Sequence, residues 1–499
     1  MAYLKSPTLF FTTSPRTPIK MVPEIKLLID NFEGKKWNKD TQTKFAKLLS
    51  GDKNFNGEGS KKNMDFSARD RITRAPKALG FVDLKPDIKL TEPGKNLISG
   101  KRTEEVLLRQ LLKFQLPSPY HKAPEKYEGM FCVKPYLEMF RLIYELGTIS
   151  FDELMIFGMQ ITHYKDFDSV VEKIKLFRRM KAYAPKNYKI FRGEYLREEV
   201  KKIYQDDIKD GNIKTRESKD NSLNKFVRTK ASNMRDYADA CFRYLRATGM
   251  VEISQRGHSI SIMPEKKKEV EFFLENIDRK PVFVNDEKKY KEYLFDVSLP
   301  VLYSDDRERL IEHVSEIIGE SEELAKQTTE QLKDKLDLAI QNKKIAIVEQ
   351  QIKDLKEYKE YNDVMTIFDD IKSNTLYDPP LMLEWNTWRA MTMLDGGDIK
   401  ANLKLDDKGQ PMSTAQGNMA DIICDYGEFG LAVEVTMQSG QKQYETEGEP
   451  VSRHLAKLKK ETGKEAYCLF IAPKINESCI AYFYALHTMN IAFYGGQSI

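Results

Sequence analysis

The sequence is poor in the residues that build structural metal sites and disulfide frameworks. Its 499 residues include five cysteines and six histidines. Cys132, Cys241, Cys424, Cys468 and Cys479 are scattered, odd in number and never in a CxxC pair, which argues against a zinc ribbon or a set of disulfides. Reduced, buried thiols are the expectation. No stretch approaches the ~20 uninterrupted apolar residues that a membrane span needs. The N-terminal MAYLKSPTLFFTTSPRTPIK lacks a continuous apolar region followed by a cleavage site, so a cytoplasmic location is expected. What the chain does have is 41% hydrophobic and 31% charged residues. That length and mixture exceed one ordinary core and suggest about two to four domains.

The net charge of +4 conceals a division. Residues 1–250 carry 49 Lys and Arg against 32 Asp and Glu, whereas residues 251–499 carry 31 against 44. A basic half joined to an acidic half suggests a polyanion-binding module attached to something else. Nucleic acid is the commonest polyanion, because phosphate contacts from Lys and Arg dominate its non-specific affinity.

Within the basic half, residues 66–100 read FSARDRITRAPKALGFVDLKPDIKLTEPGKNLISG. A helix with Arg69, Arg71 and Arg74 leads to Gly80, two short strands follow (FVDL and IKLT), and TEPG starts another helix. Helix, hairpin, helix is the pattern of a winged helix. A second copy spans 234–275, where Arg235, Arg243 and Arg246 precede Gly249 and a hairpin turns at Arg256-Gly257. At 136–158, YLEMFRLIYELGTISFDELMIFG has helix–Gly–Ser–helix form, as in a helix-turn-helix. Three such patterns in a basic segment point to double-stranded DNA. Arg69, Arg71 and Arg74 are the first candidates for base contacts in the major groove, with Arg235 and Arg243 second.

Residues 306–373 place apolar residues at helical spacing among Glu, Lys and Gln, predicting helices that act as a spacer. From about residue 375 the pattern changes. A helix over LMLEWNTWRAMTML precedes buried strands at 420–426, 430–437 and 466–473, with a helix at 451–463 between the last two. The fold expected is multidomain. A mainly α-helical winged-helix and helix-turn-helix half (1–125 and 126–290) is followed by a helical linker (291–374) and a C-terminal α/β domain (375–499).

The chemistry is expected in that last domain. Asp421 opens one strand and Glu434 lies on the next, so a hairpin would bring both carboxylates to one side of the sheet. Glu434 also interrupts the apolar run LAVEV, and burying a lone carboxylate is costly unless it pairs or binds a metal. Glu384 from the preceding helix, Glu447 from a loop and His454 from the following helix complete the candidate set. Oxygen donors of this kind suit Mg²⁺, which activates water and neutralises a phosphate under attack.

Asp421…Glu434-Val435-Thr436 resembles a variant PD-(D/E)xK nuclease core. EVTMQSGQKQYETEGEPVSRH resembles the active-site stretch of the AlwI-type family of Type IIS restriction and nicking endonucleases. TTSPRTP, SARDRITRAPKALGF, LLKFQLPSPYHK, RESKDNSLNKFV, DYADACFRYLRATG, LEWNTWRA and CLFIAPK carry the similarity over nearly the whole chain. The resemblance implies Asp421 and Glu434 as Mg²⁺ ligands with the Val435 backbone carbonyl, and Glu384, Glu447 and His454 as supporting catalytic residues. It also implies an asymmetric target, GAGTC, cut a few base pairs downstream in bacterial cytoplasm, and a companion DNA methyltransferase. A single such site hydrolyses one phosphodiester, so a transient homodimer or a partner nuclease subunit would cut the second strand. Two positions depart from the pattern: Ala420 stands where Pro is usual, and Thr436 where Lys is. The resemblance implies another strand and helices past CLFIAPK, so a C-terminally shortened cleavage domain is expected. The alternatives are a strand-specific nicking enzyme and a DNA-binding protein with a degenerate nuclease domain.

Overall fold

Helices dominate the computed structural model, with six small sheets among the described residues. It describes residues 2–51, 64–183, 188–215, 218–254, 258–373, 376–394, 396–406, 408–414, 419–488, 492–493 and 497–498. The chain divides into two compact units, one built from residues up to Lys335 and one from Leu336 onward.

In the first unit, helix α1 (Met64–Arg74), a hairpin of β1 (Val82–Asp83) and β2 (Lys89–Leu90), and helix α2 (Glu92–Ser99) follow one another. Gly80 adopts φ +77. A Cβ there would also meet Leu294 Cγ at 2.6 Å, so only glycine fits both the backbone and the space. Helix α1 stops at Arg74, ahead of Pro76, and Gly80 closes the looser turn beyond it. Thr91 caps α2 by accepting from Gly94 N–H. Helix α3 (Thr103–Lys113) buries Leu107, Leu108, Leu111 and Leu112.

The helix-turn-helix segment and the second hairpin belong to one assembly. Helix α4 (Pro135–Leu146) runs into Gly147, strand β3 (Thr148–Ser150) and helix α5 (Phe151–Ile156), which starts in a capping box formed by Ser150 and Glu153. The expected turn between the two helices is therefore a strand. Strand β3 pairs with the hairpin that follows helix α6 (Leu223–Arg246), made of β4 (Val251–Ile253) and β5 (Ser259–Ile262), in the order β3-β5-β4. The Arg256-Gly257 turn lies outside the described residues. Helix α7 (Lys267–Asn276) follows. Glu138 of α4 is fully buried and held by Arg279 at 2.8 and 2.7 Å.

The spacer expected over 291–374 is instead shared between the two units, and their division falls inside helix α8 (Thr329–Lys356). The start of α8 belongs to the first unit, where Glu330 and Asp334 pair with Lys101 and Arg102, and Lys333 meets Glu105 and Asp305. Further along, Leu355 and helix α9 (Tyr361–Lys372) enter the second unit's core with Val364, Ile367 and Ile371. Charged faces gave this segment its spacer-like appearance, but Leu310, Val314, Leu332, Leu355, Val364, Ile367 and Ile371 are buried.

Helix α10 (Pro379–Leu394) places Trp385, Trp388, Met391 and Met393 in that core. Strand β6 (Asp398–Ala401) comes next, then a separate hairpin of β7 (Leu403–Leu405) and β8 (Pro411–Thr414). The main sheet adds β9 (Ile422–Asp425) and β10 (Phe429–Val435). Helix α11 (Gln441–Thr462) crosses over to β11 (Glu465–Ile471), and helix α12 (Glu477–Thr488) follows. The order is β11-β10-β9-β6, with β10 and β11 parallel and the other pairs antiparallel. Helix α10 covers the face that presents Ile422, Cys424, Val433 and Val435. Helix α11 lies on the other, where Ala420, Ala432 and Ala466 are small enough to admit Leu455 and Leu458. All five cysteines are free.

Candidate active site

Strand pairing brings the two principal carboxylates together. Ile422 lies opposite Val433 in the β9–β10 hairpin. Asp421 and Glu434 are the next cross-strand neighbours, and opposed residues share a face. Alternation along β10 sends Val433 and Val435 into the core beneath α10 and turns Glu434 toward α11. Asp421 Oδ2 accepts the Val435 N–H at 2.8 Å, which fixes one carboxyl on the other strand's backbone.

Helix α11 supplies the remaining groups. The loop expected around Glu447 is the second turn of this helix, and Pro450, which reads as a helix start, sits inside it. Glu447 and His454 are seven residues apart on α11 and so project from one side. Thr436 Oγ1 donates to Glu447 Oε1 at 2.8 Å, and His454 Nδ1 lies 2.8 Å from Glu434 Oε1. Glu384 stands half-buried on α10, the helix on the opposite face.

Burial and neighbouring charge perturb Asp421, Glu434 and His454. Burial, followed by the nearby Glu434 and Glu447, raises Asp421 to about 7, opposed by the Val435 N–H and His454. Burial and then Glu447 raise Glu434 to about 9 against the pull of Arg453. Burial and Arg453 push His454 down, while Asp421 opposes them. The 2.8 Å separation puts His454 Nδ1 and Glu434 Oε1 at hydrogen-bond distance, and the imidazole tautomer sets which of them donates. His454 Nε2 is buried and has no hydrogen-bond partner among the described residues.

These groups suit a hard divalent cation. Asp421 and Glu434 offer oxygen donors, and their shared burial disfavours two bare negative charges. Among the described residues, no three or more His, Cys, Asp or Glu side chains are already grouped at cation-binding spacing.

The family comparison identifies the chain. A family model described as AlwI restriction endonuclease matches residues 77–492. The chain belongs to the AlwI restriction endonuclease family. This family is one of nucleases acting on DNA, and the match spans both the α6 assembly and the carboxylate sheet. Among solved structures, the chain is similar to the small subunit (R.BspD6I2) of the heterodimeric restriction endonuclease R.BspD6I. Identity there is 31%, over 25% of this chain and 65% of that subunit's length, with a TM-score of 0.23. It is also similar to the BpuJ1 endonuclease binding domain, solved with pyrene- and phenanthrene-modified DNA. That match has 13% identity over 58% of this chain and 96% of the other, with a TM-score of 0.36. No curated protein matches the chain. No helix among the described residues is long and apolar enough to cross a membrane.

The arginines expected to meet DNA in this AlwI-family chain differ in their surroundings. Arg71 is paired with the buried Glu24. Arg74 bonds Asp70 at 2.7 Å and Thr13 Oγ1 at 3.0 Å, while Arg69 is exposed. Arg243 pairs with Asp239 one turn earlier. Arg235 is exposed and has no ion-pair partner among the described residues, and Arg228 has the same surroundings. Sequence reasoning passed over Arg228, although 228, 232 and 235 have the spacing of one helical face and Phe226, Met234 and Ala238 mark the other as buried.

Proposed function

We propose that this chain is a Type IIS restriction endonuclease whose second unit hydrolyses a phosphodiester with Mg²⁺ at Asp421 and Glu434. The observation that carries this reading is the cross-strand pair of buried carboxyls with His454 and Glu447 behind it. When bound, Mg²⁺ would supply positive charge for the scissile phosphate and a lowered pKa for an attacking water. Asp421, Glu434 and the Val435 carbonyl would hold it. The chain's own contribution is positioning. The Val435 N–H orients Asp421, and Thr436 orients Glu447 in place of the usual lysine. Once Glu434 is ionised, Nδ1–H of His454 can donate to it, which leaves Nε2 free to accept a proton.

The first unit would read an asymmetric site, proposed as GAGTC. The order α4-β3-α5-α6-β4-β5 supports a winged-helix reading with α6 in the major groove, where Arg228 and Arg235 would meet phosphate or base edges. One such pair of carboxyls among the described residues also supports a nicking reaction, with second-strand cleavage needing a homodimer or a partner subunit. A cognate methyltransferase would protect host sites. Supercoiled plasmid with Mg²⁺ tests these points together. Linear product supports paired cleavage, and open-circular product supports nicking. Asp421→Ala should abolish both while DNA binding persists. Cleavage that survives Asp421→Ala would refute the site.

A further inference from the structure

The N-terminal arm joins the two arginine-bearing helices of the first unit. Thr13 Oγ1 accepts from Arg74 of α1 at 3.0 Å, and the Pro15 carbonyl accepts from Tyr244 of α6 at 2.9 Å. Between these anchors and the rest of the chain, Arg16 reaches the outer side of α6. There it bonds Asp236 at 2.9 Å and lies 3.7 Å from Asp239, which Arg243 shares at 3.3 Å. The Arg16 side chain is 50% exposed and that of Asp236 is 42% exposed. An ion pair this wet contributes only ~0–1 kcal/mol to stability, so exchanging its carboxylate for another anion costs little. The arm needs no such pair for anchorage, since Pro15 and Phe11 are buried and Phe11 packs edge-on against Tyr136 at 5.1 Å.

We propose that Arg16 is a DNA contact of the recognition surface, held by Asp236 and Asp239 until a phosphate displaces them. The two aspartates serve as a specificity filter. They occupy Arg16 and repel the phosphate backbone wherever the neighbouring Arg235 and Arg228 find no matching site. This rests on the reading of α6 as a DNA face. It adds the arm as a further element of that face and assigns the acidic residues within it a role.

Binding of the full chain to a GAGTC duplex and to a random duplex, without divalent cation and across a range of salt, tests the proposal. Arg16→Ala should flatten the plot of log affinity against log salt by about 0.9, the equivalent of one phosphate. Arg16→Lys should restore that slope. Asp236→Asn should tighten random-duplex binding about fivefold, the effect of removing one nearby exposed charge, and so lower discrimination between the two duplexes. Arg235→Ala serves as the control for α6. If Arg235→Ala flattens the slope and Arg16→Ala does not, the role of Arg16 is refuted and the α6 reading stands. If neither changes it, the α6 reading fails and the proposal with it. A lower melting temperature for Arg16→Ala with an unchanged slope would mark a structural pair and refute the proposal. Unchanged or weaker random-duplex binding by Asp236→Asn would refute the filter.

Discussion

A divalent cation entering the Asp421–Glu434 site should expel protons, in a number that falls as pH rises. Burial, with Glu434 and Glu447 beside Asp421 and Glu447 beside Glu434, holds the two carboxyls at about 7 and about 9. A carboxyl must be ionised to act as a ligand, so each proton held there has to leave on binding. Around pH 6 both groups are largely protonated and the release should be ~2 protons per cation, dropping to ~1 around pH 8. His454 does not retain the displaced proton, because burial and Arg453 disfavour its cationic form. The same linkage makes apparent affinity rise about a hundredfold per pH unit near pH 6 and about tenfold near pH 8. Calorimetric titration of Mg²⁺ or Mn²⁺, repeated in buffers of different ionisation heat, counts the protons directly. Glu434→Gln should remove the component that persists around pH 8 and leave the one that fades as Asp421 ionises. Proton release near zero, with affinity flat across that range, would show that both carboxyls are already ionised and would refute the argument from burial and repulsion.

Three further outcomes follow from other parts of the structure. His454→Ala should slow cleavage about 10²–10⁴-fold with DNA affinity unchanged, as expected for loss of a proton-transfer group, and single-turnover cleavage kinetics measure it. Trp388→Ala removes a large side chain from the core under the sheet. It should destabilise the second unit by ~3–5 kcal/mol in denaturant unfolding while random-duplex binding by the first unit persists. Glu24 is raised to about 7 by burial, which outweighs the pull of Arg71. A folded-state pKa above the unfolded one means that the native state binds the extra proton, so this contribution is complete below the unfolded value and is lost as pH rises toward 7. Thermal melting of Glu24→Gln should lack that loss.

Chemically odd residues made the candidate site legible. Glu434 stands out because a charge interrupts an apolar strand, and the short link to the preceding strand implies the hairpin that aligns Asp421 with it. The start of α11 was hidden by Pro450, a residue that usually begins or breaks a helix, and so Glu447 read as a loop residue. Strand β6 was hidden because DIKA at a sheet edge has no apolar run. The arginines of α1 looked like the best DNA contacts because charge is visible in a sequence and its partner is not. Glu24 lies 47 positions from Arg71. The buried part of the 291–374 segment was hidden for a related reason: a helix with abundant Lys and Glu can still bury a narrow stripe such as Val364, Ile367 and Ile371.

The hairpin turn at 426–429 acts as a gauge block for the spacing of Asp421 and Glu434. Tyr426 N–H bonds the Phe429 carbonyl at 3.0 Å, and the two rings stack at 5.0 Å. Gly427 adopts φ +83 at the corner. Lys464 secures Asp425 at 2.7 Å beside it. Because side chains alternate with a period of two, one residue gained or lost here would send Glu434 to the tryptophan side and leave Asp421 alone. The loop farthest along the hairpin from the chemistry is thus the one whose length should tolerate the least drift.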